Sequence, residues 1–143
     1  MSVRKSAKTG VWLLAAFLAG TACVRAGSLA GPLQVTPDNF KAKLLKSKAP
    51  VLLDVGATWC VPCRQMAPII EKMSGLYSGK LLVAEMDADK NPGAVEQLNV
   101  QAFPTLIFLR GGKVVKTLLG FQREKDLRRE IDLFLKAGPD QGS

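Results

Sequence analysis

The sequence predicts an α/β domain in which a mixed central sheet carries helices on both faces. Three observations predict it. Apolar runs of strand length at 51–57 and 81–87 are separated by a stretch with helical spacing, which makes a βαβ start. Two further runs, 105–109 and 113–119, flank Arg110-Gly111-Gly112, a hairpin signal that adds antiparallel strands. The amphipathic stretch 122–136 sets Leu127, Ile131, Phe134 and Leu135 on one side and supplies a last covering helix.

Taken in order, the chain opens with Arg4, Lys5 and Lys8, continues with an apolar run over 11–24, and has no acidic residue before Asp38. That pattern reads as an export signal or N-terminal anchor over 1–26. The run is short for a relaxed membrane span, which takes about 20 residues. Three endings stay open: cleavage after Ala26, lipidation of Cys23, or an uncleaved anchor. The second uses Gly20-Thr21-Ala22-Cys23, which resembles a bacterial lipoprotein box with Gly20 where Leu is usual. All three place the domain outside the cytoplasm, in a bacterial periplasm or on the outer face of the membrane. In that oxidising setting a dithiol stays reduced only if something keeps re-reducing it.

Residues 27–33 are a linker of small residues and Pro, and 34–137 form the domain, followed by a tail at 138–143. Thr36 and Pro37 are the N-cap and first position of a helix reaching about residue 46. After the strand at 51–57, a helix over 60–77 contains Pro68, which predicts a kink near Met66 and Ala67; Met66 and Met73, at helical spacing, are core. Asn91-Pro92 opens a short helix to about residue 98.

Chemistry concentrates in Trp59-Cys60-Val61-Pro62-Cys63, where a strand feeds a helix. A cysteine at a helix start meets unpaired backbone N–H groups and the positive end of the dipole, both favouring thiolate. Cys60 is therefore the expected nucleophile. Cys63, one turn later, can attack the mixed disulfide formed at Cys60 and is the resolving thiol. Pro62 sits where its missing N–H has no helical partner, and its fixed φ stiffens the turn between the sulfurs. Arg64 is either a stabiliser of the thiolate or a solvated helix residue.

Composition narrows the alternatives. With 143 residues and 48% hydrophobic content, the chain suits one domain plus a leader. Of its 20 basic residues four lie in the leader, leaving 16 against 12 acidic ones, a net charge near +4. These are scattered over positions such as Lys41, Lys48, Arg123 and Arg129 without interleaved aromatics, so no nucleic-acid partner is expected. The sequence has no His, which excludes haem attachment at this motif. Two thiolates alone would need a second chain to close a metal site, so no metal or cofactor is expected. A metal-handling C-x-x-C protein remains an alternative, as does a redox-inert binding module.

The ordered set of Trp59-Cys60-Val61-Pro62-Cys63-Arg64, Asp54 in the preceding strand, Asp87 to Pro92, Phe103-Pro104-Thr105, the Gly-Gly hairpin and Gly120 is similar to the thioredoxin family over about 33–137. The resemblance implies a thioredoxin-like three-layer α/β/α sandwich and a monomeric thiol-disulfide oxidoreductase acting on protein disulfides. It implies a cis peptide at Pro104, with the backbone of 103–105 beside the sulfurs. It also implies a substrate groove of Trp59, Val61, Pro62, Phe103, Pro104, Thr105 and Gly120, with Trp59 as groove wall rather than core filling. Asp54 would be the buried carboxylate that accepts a proton as Cys63 is activated.

Two departures stand out. Val61 replaces a common Gly between the cysteines, where the redox potential is set, leaving the direction of catalysis open. Glu85 stands where many relatives carry Lys, so Asp54 and Glu85 are expected to approach each other and titrate as a coupled pair; the competing reading sends Glu85 to solvent from a strand edge. Val61-Pro62 and the leader also look like reductants that serve cytochrome c or copper-centre assembly and draw electrons from a membrane thiol-disulfide carrier.

Overall fold

The computed structural model describes residues 31–138. The expected export segment with Cys23, and the tail from 139 onward, lie outside them. Five strands, β1 (Leu33–Val35), β2 (Val51–Gly56), β3 (Leu82–Asp87), β4 (Thr105–Arg110) and β5 (Lys113–Leu119), form one sheet in the order β1-β3-β2-β4-β5. β1, β3 and β2 run parallel, and β4 and β5 join antiparallel, giving the expected mixed sheet. Helices α1 (Pro37–Phe40), α2 (Val61–Leu76), α3 (Pro92–Gln97) and α4 (Glu124–Lys136) cover it.

Alternation along β2 divides the core. Val51, Leu53 and Val55 pack with Phe40, Leu44, Ala94 and Ile107 under α1 and α3. Leu52 packs with Met66, Ile70, Met73, Leu127, Ile131 and Phe134 under α2 and α4. Asp54, two residues beyond Leu52, therefore turns toward α2. Gly111 and Gly112, at φ 57° and 78°, make the hairpin turn, and a Cβ on Gly112 would lie 2.0 Å from the Leu45 carbonyl oxygen.

Two elements differ from expectation. Leu33 belongs to a strand rather than a linker, and β1 was not foreseen: it is three residues long, has only Val35 buried, and lies between Pro32 and Pro37. Such a segment carries no periodicity, and only its pairing with β3 defines it. The first helix is α-helical for four residues and then a π-helix over Lys41–Leu45, where the Lys46 N–H reaches five residues back to the Lys41 carbonyl. As expected, α2 contains Pro68, and it runs unbroken over Val61–Leu76.

Candidate active site

Val61 begins α2 and Cys60 is its N-cap, one position earlier than a first-turn residue. Its sulfur accepts the Cys63 N–H at 3.3 Å, so an otherwise unpaired helix-start donor is aimed at sulfur. Cys60 and Cys63 form a disulfide with Cα atoms 5.3 Å apart. Both residues are buried, at 5% and 8% exposure, so exposure does not rank them. Gly56 ends β2 beneath them, and a Cβ there would come 3.1 Å from Cys63 Sγ. Gly56 is thus a site residue the sequence reading passed over, although a Gly closing an apolar strand just before C-x-x-C was its signal.

The rim is apolar. Trp59 is 64% exposed and so is not core filling. Its ring meets Phe103 edge-on at 5.9 Å, and its Nε1 donates to Asp89 Oδ2 at 3.0 Å. Asp89 was also not singled out, because a partner thirty residues away leaves no local trace. Phe103 packs on the cluster of Ala57, Cys60 and Cys63. The Phe103–Pro104 peptide is cis, and the Pro104 carbonyl accepts the Gly120 N–H at 2.8 Å, with Gly120 at φ 78°. Val61 is exposed and Pro62 half-buried at the helix start. Pro104 and Thr105 are buried, and Thr105 Oγ1 donates to the Ala102 carbonyl at 2.6 Å, so of the expected groove these two offer backbone rather than side chain. Arg64 matches neither expectation fully: it is exposed, yet its guanidinium donates to the Thr58 carbonyl at 3.0 Å and so ties down the loop before Cys60.

Behind the disulfide, a cavity of about 350 Å³ is lined by Asp54, Gly56, Cys63, Arg64, Glu85 and Lys90, among others. Asp54 is 7% exposed, and its Oδ1 has no hydrogen-bond partner among the described residues. Burial first, and the Glu85 carboxylate second, push the Asp54 carboxyl from the ordinary 3.8 up to about 7. Glu85 is Asp54's register partner on β3. Because β1 covers that side, β3 is an interior strand, and Glu85 is half-buried rather than sent to solvent from an edge. Among the described residues no three His, Cys, Asp or Glu side chains gather as metal ligands, and no helix is long and apolar enough to cross a membrane.

The family model described as Thioredoxin matches residues 31–133. The chain belongs to the thioredoxin family. Among its relatives, Thioredoxin 2 of Chlorobaculum tepidum is 34% identical over 99 residues, covering 69% of this chain and 91% of that protein. Thioredoxin of Alicyclobacillus acidocaldarius is 37% identical over 99 residues, covering 69% and 93%. The bifunctional thioredoxin reductase/thioredoxin of Mycobacterium leprae is 36% identical over 111 residues, or 78% of this chain but 24% of that longer protein. With its Cys60–Cys63 pair at disulfide distance, this thioredoxin-family chain is a thiol-disulfide oxidoreductase.

Proposed function

We propose that the chain is an exported reductant of protein disulfides. The observation that carries the chemistry is the Cys60–Cys63 disulfide with its inner sulfur on the cavity that holds Asp54. In the reduced form the Cys60 thiolate attacks a substrate disulfide; one substrate sulfur leaves and takes a proton, and a mixed disulfide forms. Cys63 gives its proton to Asp54, attacks Cys60 Sγ and releases the second substrate sulfur, so two electrons reach the substrate and the disulfide closes. The exposed Trp59 and Val61, with Phe103, offer apolar contact to an unfolded or extended segment, which supports a protein rather than a small-molecule substrate.

Export is supported by Arg4, Lys5, Lys8 and the apolar run over 11–24. A reductant there needs a supply of electrons, for which a membrane thiol-disulfide carrier is the fitting class; assembly of cytochrome c or a metal centre is the narrower role we assign to it. The deciding experiment is the equilibrium potential of the pair, titrated against a thiol redox buffer: near or below about −250 mV supports the reductant, and near −180 mV or above overturns it in favour of an isomerase or oxidant. Insulin reduction that survives Cys60→Ser, or stoichiometric metal without turnover, would overturn the enzymatic reading itself.

A further inference from the structure

Gln34 on β1, Glu85 on β3 and Asp54 on β2 are register partners in one row across three adjacent strands. Row neighbours point to the same face of a sheet, and Leu52 fixes that face as the one under α2. All three line the cavity onto which Cys63 opens. Burial increases along the row: Gln34 is exposed at the edge, Glu85 half-buried, Asp54 buried. Gln34 Nε2 donates to Glu85 Oε2 at 2.8 Å, which fixes where the Glu85 carboxylate sits. Asp54 Oδ1 receives nothing.

From this row we infer that Gln34 and Glu85 are positioning residues for release of the mixed disulfide: Gln34 holds the Glu85 carboxylate in place beside Asp54, and the charge of Glu85 sets the pH at which Asp54 accepts the Cys63 proton. The role rests on Asp54 being the acceptor, as proposed above. Cys63 S–H passes its proton to Asp54, the sulfur attacks Cys60 Sγ, the bond from Cys60 to the substrate breaks, and the substrate sulfur leaves with the electron pair and takes a proton; Glu85 takes no part in the transfer. A base works best with its pKa near the operating pH, and a fixed negative neighbour moves a carboxyl in that direction. The other charges around the pair are engaged elsewhere or share its sign. Arg64 donates to Thr58, Lys90 lies 3.5 Å from Asp87, and Glu71 of α2 lines the adjoining cavity with Gln34 and Glu85.

The test is single-turnover reduction of insulin disulfides by the reduced full-length chain from about pH 5 to about pH 9, around the ordinary carboxyl and thiol ranges. Glu85→Gln should move the acid limb of the rate to lower pH by about one unit, the effect of a nearby unit charge at an effective dielectric of ~20 or above. Gln34→Ala should move it the same way by less, and adding Gln34→Ala to Glu85→Gln should move it no further. Glu85→Asp, which keeps the charge, should hold the limb close to its original place; a limb displaced as far as in Glu85→Gln would mean that packing and not charge is responsible. If Asp54→Asn abolishes the limb while Glu85→Gln leaves it in place, Glu85 has no such role and the Asp54 reading survives. A limb untouched by Asp54→Asn removes both. Additive shifts for Gln34→Ala and Glu85→Gln would break the pairing of the two.

Discussion

Asp54 and Arg110 are ionisable side chains on adjacent strands of the same sheet, near opposite ends of it, and the fold treats them in opposite ways. Arg110 donates to the carbonyls of Phe134, Ala137 and Gly138, and its guanidinium carbon lies 4.5 Å over the Phe134 ring. Those carbonyls close α4, where helix geometry leaves acceptors unpaired and the dipole is negative, so one cation answers both needs. Asp54 is more deeply buried and has an oxygen with no partner. Around Arg110 the polar groups are matched. At the redox end a mismatch is retained, and under the proposed mechanism it has a use, since a carboxylate left poorly solvated is a stronger base.

Asp54→Asn gives the largest expected effect and the sharpest break in that comparison. Asp54 sits at about 7 when folded against 3.8 for the ordinary group. Its folded form thus prefers the proton: the penalty for ionising it is absent below the unfolded value, grows as pH rises toward 7, and is constant above. The Asn variant carries no such penalty. In urea denaturation of the disulfide form it should match the parent near pH 4 and exceed it by up to about 4 kcal/mol near pH 8, three units at ~1.36 kcal/mol each. Resolution of the mixed disulfide should slow at the same time. An equal gain at both pH values would show that Asp54 is not held in the protonated form.

Arg110→Met, at the other end, should lose about 2–3 kcal/mol through orphaned carbonyls and the lost ring contact. The loss should be level from about pH 5 to about pH 8, since Arg does not titrate there, and insulin turnover should keep its pH profile. A displaced profile would mean the two ends communicate, and the contrast drawn between them would fail.

How much of this was legible in the sequence follows the same division. Cys60-Val61-Pro62-Cys63, Asp54 within an apolar strand, Phe103-Pro104 and Gly111-Gly112 each announce themselves locally, by a residue type in a setting that needs it. What was hidden depends on register or distance. β1 is too short to show a period, yet it makes β3 interior and brings Gln34 to Glu85. Asp89 meets Trp59 across thirty positions, and Gly56 matters because Cys63 Sγ would lie 3.1 Å from its Cβ. The turn from α-helix to π-helix at Lys41 has no account in the residues themselves.

Tyr77 extends the comparison at the smallest scale. It caps the end of α2 remote from the cysteines, and its hydroxyl donates to Asp132 Oδ1 at 2.7 Å and to the Arg128 carbonyl at 3.4 Å, tying α2 to α4. Burial and the bond to Asp132 hold the phenol above its ordinary 10.0. The raised value means that its contribution is complete below the ordinary value and declines only as pH climbs through the folded one. Tyr77→Phe should therefore lose about 1–1.5 kcal/mol, the worth of a typical side-chain hydrogen bond, by the same amount at about pH 6 and about pH 9. Both Asp54 and Tyr77 are buried acids with raised values, and only the one beside the disulfide changes stability in the range where the protein works. A Tyr77→Phe loss that varied across that range as the Asp54→Asn gain does would show the distinction to lie in burial alone and not in whether each polar atom has found its partner.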